Sequence, residues 1–144
     1  MRVNGFDCDI MDGHFPDYDV KVSGHGLEFT AEVKFDKYSK KSGNLAFEYY
    51  NSKLNKPSGI MATKSDLWVQ ILDEDNILVG DTRKIRNLPI SSAYRPVRVV
   101  EGAGDGNADI ILYKAETLID SLLFRLNHQT DVIIFLKGIL NGKV

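Results

Sequence analysis

The chain has 144 residues, 43% of them hydrophobic and 26% charged, with a formal net charge of −2. This length makes a single domain, 1–144, with one real core; the composition excludes disorder, and the near-neutral charge argues against nonspecific coating of nucleic acid. Cys8 is the only cysteine, which excludes an internal disulfide or a multi-cysteine zinc cage. The start lacks a signal-peptide pattern and no run approaches the roughly 18 apolar residues of a membrane span, so an intracellular, cytoplasmic protein is expected.

Along the chain, residues 1–16 show no helical periodicity and end at Pro16, which disfavours helix in the residue before it. Asp7, Asp9 and Asp12 suggest a calcium loop, but their spacing and the place of Gly13 do not match one. Residues 17–22 alternate as a strand. Two glycines in Ser23-Gly24-His25-Gly26 then predict a tight reversal into a second strand over 27–36, an antiparallel hairpin. A lysine-rich loop follows, then a third strand over 44–50, so three consecutive strands are expected to form a meander. Asn55-Lys56-Pro57-Ser58-Gly59 is turn chemistry, and Thr63-Lys64-Ser65-Asp66 has the spacing of a capping box, predicting a short helical turn.

Residues 68–72 and 77–79 read as strands joined by a turn at 73–76. Residues 82–88 read as a short helix carrying Arg83, Lys84 and Arg86, stopped by Pro89. Strands over 98–100 and 108–113 flank the glycine-rich stretch 102–107, which reads as a hairpin turn because no helical pattern follows it. Over 116–126, Leu118, Ile119, Leu122, Leu123 and Leu126 share a helical stripe, predicting a core-packing helix. The apolar run 132–136, with Ile139 and Leu140, is expected to complete the core or to make a homodimer contact.

Chemistry concentrates in the second strand. A strand repeats every two residues, so Phe29, Ala31, Val33 and Phe35 share one face while Thr30, Glu32, Lys34 and Asp36 share the other. Glu32 and Lys34 are therefore neighbours: a carboxylate suited to a hard divalent cation, beside an ammonium that can steady or deprotonate a water attacking a phosphate. A polar sheet face carrying an ion pair is the plain alternative. The charge distribution adds weight, since five acids precede residue 20 against Arg2 alone, while seven lysines between Lys34 and Lys64 face only Asp36 and Glu48. Acids for a cation beside lysines for phosphates is the arrangement a metal-dependent site working on a polyanion needs.

Asp19 opening one strand and Glu32-Val33-Lys34 on the next, with a literal Pro16-Asp17, resemble the metal motif of the PD-(D/E)XK nuclease superfamily. Gly43-Asn44, Glu48, Pro57-Ser58-Gly59-Ile60 and Thr63-Lys64-Ser65-Asp66-Leu67-Trp68 extend the likeness toward small, often phage-encoded members and Holliday junction resolvase relatives, over residues 16 to 88. The resemblance implies a restriction-endonuclease-like α/β fold, a central mixed β-sheet with an antiparallel three-strand meander flanked by helices. It implies a Mg²⁺-dependent endonuclease, with Mn²⁺ able to substitute, that hydrolyses DNA, branched or structured DNA above all. On this reading Asp19 and Glu32 coordinate the metal with the Val33 carbonyl, and Lys34 orients the attacking water. Asp17 remains an alternative to Asp19, and Glu48 a further acid if its strand neighbours Glu32. Lys37, Lys40, Lys41, Asn44, Ser58, Thr63 and Lys64 become candidates for phosphate contact. Two departures stand out: no helix precedes Asp17, and only a short one near Thr63 follows the third strand. The rival reading is a non-catalytic nucleic-acid-binding or phage interaction protein with the same fold.

Overall fold

The computed structural model describes residues 2–126 apart from residues 4 and 14. The apolar run expected to complete the core or bind a second copy lies outside the described residues.

Two β-sheets carry the architecture. The first has seven strands in the order β1 (Arg2–Val3), β2 (Phe6–Ile10), β3 (Val20–Gly24), β4 (Leu27–Phe35), β7 (Leu67–Asp73), β8 (Asn76–Asp81) and β11 (Leu123–Arg125). Every pairing is antiparallel except β4 with β7, which makes the sheet mixed. The second sheet has four, in the order β6 (Lys56–Pro57), β5 (Asn44–Asn51), β10 (Ala108–Lys114) and β9 (Arg98–Ala103). The helices are short: α1 (Ser39–Ser42), α2 (Thr82–Arg86), α3 (Ala115–Leu118), and 3₁₀ turns at Gly59–Met61 and Leu88–Ile90. No helix among the described residues is long and apolar enough to cross a membrane.

The β3–β4 hairpin forms as expected. His25 and Gly26 are both left-handed, with φ of 52° and 73°, and two such residues match the right-handed twist of the flanking strands. The predicted helix at 82–88 is present as α2, where the Asp81 carboxylate accepts from the Arg83 and Lys84 amides at its start, and the hairpins β7–β8 and β9–β10 follow their turn residues.

Three expectations fail. The three-strand meander does not form, because β5 leaves the first sheet and pairs with β10 and β6, while β4 takes β7 as its second neighbour. The flanking helices are replaced largely by the second sheet. The helix over 116–126 is one turn, α3, followed by Asp120 at φ 69° and the strand β11. Leu118, Leu122 and Leu123 still reach the core, by way of a turn and a strand instead of a helical stripe.

The main core lies between the sheets. Leu45, Phe47 and Tyr113 of the second sheet meet Trp68 and Leu78 of the first, closed by Ile85 and Leu88. Complete burial of each such side chain is worth roughly 2 kcal/mol or more. A smaller cluster, Phe29, Ala31, Leu67 and Val79, covers the other face of the first sheet. β4 is thus covered on both faces, which sets the environment of its acids.

Candidate functional site

The polar face of β4 is not the wet one. Glu32 and Asp36 are each only 9% exposed, whereas Phe35 on the supposed apolar face is 73% exposed. The parallel register sets Glu32 beside Trp68 and Lys34 beside Gln70, so this face of β4 turns toward the second sheet. A buried carboxylate needs partners, because desolvating an unpaired charge is very unfavourable.

Glu32 takes two. Lys34 Nζ lies 2.5 Å from Oε1, and the Thr63 hydroxyl lies 3.1 Å from Oε2. That hydroxyl is also 3.1 Å from the Asp17 carbonyl and 3.1 Å from Ser65 Oγ, and it accepts the Ser65 amide. Its single proton therefore has a choice of acceptors. Ser65 Oγ donates onward to the Leu67 carbonyl and sits 3.2 Å from Thr82 Oγ1, a buried chain of hydroxyls. Arg86 fixes the loop that presents Thr63: its Nε donates to the Ile60 carbonyl at 3.0 Å, and another guanidinium N–H donates to the Thr63 carbonyl.

Asp19 meets the residues on either side of Glu32. Its amide donates to the Ala31 carbonyl at 3.0 Å, and its Oδ2 accepts from the Val33 amide at 2.7 Å. Asp17 is disposed differently, with its carboxylate 2.9 Å from Lys64 Nζ and its carbonyl turned to the Lys64 amide and the Thr63 hydroxyl.

Glu48 approaches from the second sheet. Its strand does not pair with β4, yet Glu48 and Lys34 line one cleft of about 240 Å³, and no ion pair or hydrogen bond engages the Glu48 carboxylate among the described residues. Gly59 sets its position: at φ 53° it lies so close to the Glu48 carbonyl that a Cβ there would collide.

The candidate phosphate contacts divide. Lys37 lines the cleft with Lys34, Lys41 is exposed, and Asn44 borders an adjoining chamber. Lys40 is 3.1 Å from Asp73; the Asn76 amide group first, then the Asp75 amide and Lys40, hold the Asp73 carboxyl down to about 2. Thr63 is 3% exposed and bound to Glu32, and Ser58 Oγ is buried with no partner among the described residues. Neither presents its hydroxyl to solvent; for Thr63, Arg86 holds the loop inward through the Ile60 and Thr63 carbonyls. The capping-box spacing at Thr63 starts no helix either: Thr63 turns to Glu32, and Asp66 accepts from the Thr30 amide and hydroxyl.

Compared with known proteins, the chain matches no family model, no curated protein and no solved structure. What defines it is a mixed α/β architecture of two sheets, with Lys34 and Glu48 lining one cleft and the buried Glu32 paired to that lysine.

Among the described residues no three His, Cys, Asp or Glu side chains close on a common point. Mg²⁺ does not require such a cage, since it is commonly held by one or two carboxylates with water and substrate phosphate. Glu32 with Asp19 offers hard oxygen donors of that kind, and Lys34 Nζ already supplies Glu32 with the positive charge a cation would bring.

Proposed function

We propose that the protein is a metal-dependent endonuclease of the PD-(D/E)XK type that hydrolyses DNA phosphodiester bonds, with branched or structured DNA as its substrate. The observation that carries this reading is the state of Glu32: a buried carboxylate whose partners are a lysine and a hydroxyl, both side chains that can turn to other partners, the lysine itself lining a cleft that Glu48 also lines.

Glu32 and Asp19 would hold Mg²⁺, or Mn²⁺ in its place, with the Val33 carbonyl beside them. The bound metal would offset negative charge developing on the phosphoryl oxygens. Lys34, released from Glu32, orients the attacking water and neutralises a phosphate oxygen. Thr63 fixes the orientation of the Glu32 carboxylate. Asp19 is preferred to Asp17 because it is tied to the residues flanking Glu32, whereas Asp17 faces Lys64. Glu48, on the same cleft as Lys34, would take a proton or a second metal contact.

Purified protein incubated with supercoiled plasmid and with four-way junction DNA in Mg²⁺ or Mn²⁺ tests this directly. Cleavage abolished by Glu32→Gln and by Lys34→Ala is expected. No cleavage, or cleavage that survives both substitutions, leaves the non-catalytic nucleic-acid-binding reading.

A further inference from the structure

The cleft beside Lys34 continues into a larger chamber of about 560 Å³, and the two share Asp36, Tyr38, Ala46 and Ile110. They form one groove along the face of the second sheet turned away from the core. Cross-strand register builds its floor, with Glu48 opposite Ile110 and Ile110 opposite Val100, then Ala46 opposite Leu112 and Leu112 opposite Arg98. The floor is therefore apolar along its middle, with Glu48 and Lys34 at one end and Arg98 at the other.

Above it stands Tyr38, 79% exposed, with Phe35 on the lip at 73%. Large rings this exposed cost solvation, yet the turn that presents them is held firmly. The buried Asp36 carboxylate accepts from the amides of Tyr38, Ser39 and Ala46 and from Gln70 Nε2. The rings are thus pre-positioned. Cations border the groove at Lys34, Lys37 and Arg98, whereas of the acids lining it Asp36 has both oxygens engaged and Glu48 belongs to the proposed catalytic end.

We infer that this groove binds an unpaired, single-stranded stretch of nucleic acid, its bases stacked on Tyr38 and laid over the Ala46–Ile110–Leu112 floor, its phosphates on Lys37 and Arg98. A duplex hides the base faces that a ring and an apolar floor recognise, while a single strand offers them. Catalytically this rests on the nuclease reading, since the strand would run toward Lys34, but the binding itself does not require cleavage.

Fluorescence anisotropy in EDTA, with a labelled deoxythymidine oligomer and a blunt hairpin duplex, tests the inference on the full chain. Tyr38→Ala should weaken single-strand binding about tenfold or more, as the loss of one stacked base does. Tyr38→Phe should bind as the natural chain does, Phe35→Ala should weaken the single strand less, and hairpin affinity should stay within about twofold throughout. No single-strand binding, an unaltered affinity in Tyr38→Ala, or equal losses for strand and hairpin would overturn it. Tyr38-dependent binding without any cleavage in Mg²⁺ upholds the groove and sinks the nuclease instead.

Discussion

Glu32, on β4, and Asp36, the residue that follows the end of β4, lie four residues apart and are equally buried, yet their surroundings differ in kind. Asp36 is enclosed by donors that are fixed in place, three backbone amides and the amide of Gln70. Through them it ties β4 to the otherwise unpaired edge of β5 at Ala46, whose carbonyl also receives Gln70 at 3.5 Å. Among the described residues the Glu32 carboxylate meets a lysine and a hydroxyl. Burial alone therefore does not mark a functional acid. A carboxylate saturated by backbone is part of the frame, and one held by movable side chains retains capacity for chemistry.

The contrast breaks most visibly if the two acids are exchanged in role. Glu32→Gln should lower cleavage by roughly a thousandfold or more while shifting stability by less than about 1 kcal/mol, since the amide still accepts from Thr63. Asp36→Asn should do the reverse: it sets an NH₂ group against N–H donors and is expected to cost about 3 kcal/mol in urea unfolding. Should Asp36→Asn fold with full stability, the tie between the sheets is not where the hydrogen bonds put it.

Thr63→Val sharpens the difference on the Glu32 side. Losing the hydroxyl that orients the carboxylate should reduce Mn²⁺ affinity by about ten- to a hundredfold, with Thr63→Ser restoring most of it, as measured by calorimetry. Smaller still is the effect at Tyr113, 1% exposed, whose hydroxyl has no partner among the described residues and whose ionisation burial pushes up. Tyr113→Phe should leave stability unchanged or raise it by about 1 kcal/mol, because it removes an unsatisfied polar atom. The smallest effect concerns pH. Asp73 falls from its ordinary 3.8 to about 2, so its contribution to stability is complete above the ordinary value and is lost as pH falls through about 2. A carboxyl titration by NMR should place its midpoint there, and Asn76→Ala should move it up.

Much of this was legible in the residues themselves. Val20 to Gly26 specifies a hairpin through alternation and a two-residue turn, and Glu32 and Lys34 share a face because strand side chains alternate strictly. Partner choice was not legible: residues 44–50 read as a strand in either sheet, and the edge of β5 is satisfied by Asp36 and Gln70, 10 and 24 positions away. Nor could Thr63 be assigned, since its bond to Glu32 spans 31 residues and a local rule favoured a helix cap. Leucine spacing over 116–126 fits a helix until Asp120 turns left-handed, which spacing does not register.

The proposed metal site requires that Glu32 exchange its partners for a cation where Asp36 cannot. Crystals soaked in Mn²⁺ and measured at the manganese absorption edge test this most directly. An anomalous peak against the Glu32 carboxylate, with Lys34 turned away and Asp36 unchanged, is the predicted result; Glu32 still clasped by Lys34 with no peak beside it would contradict the proposed metal site.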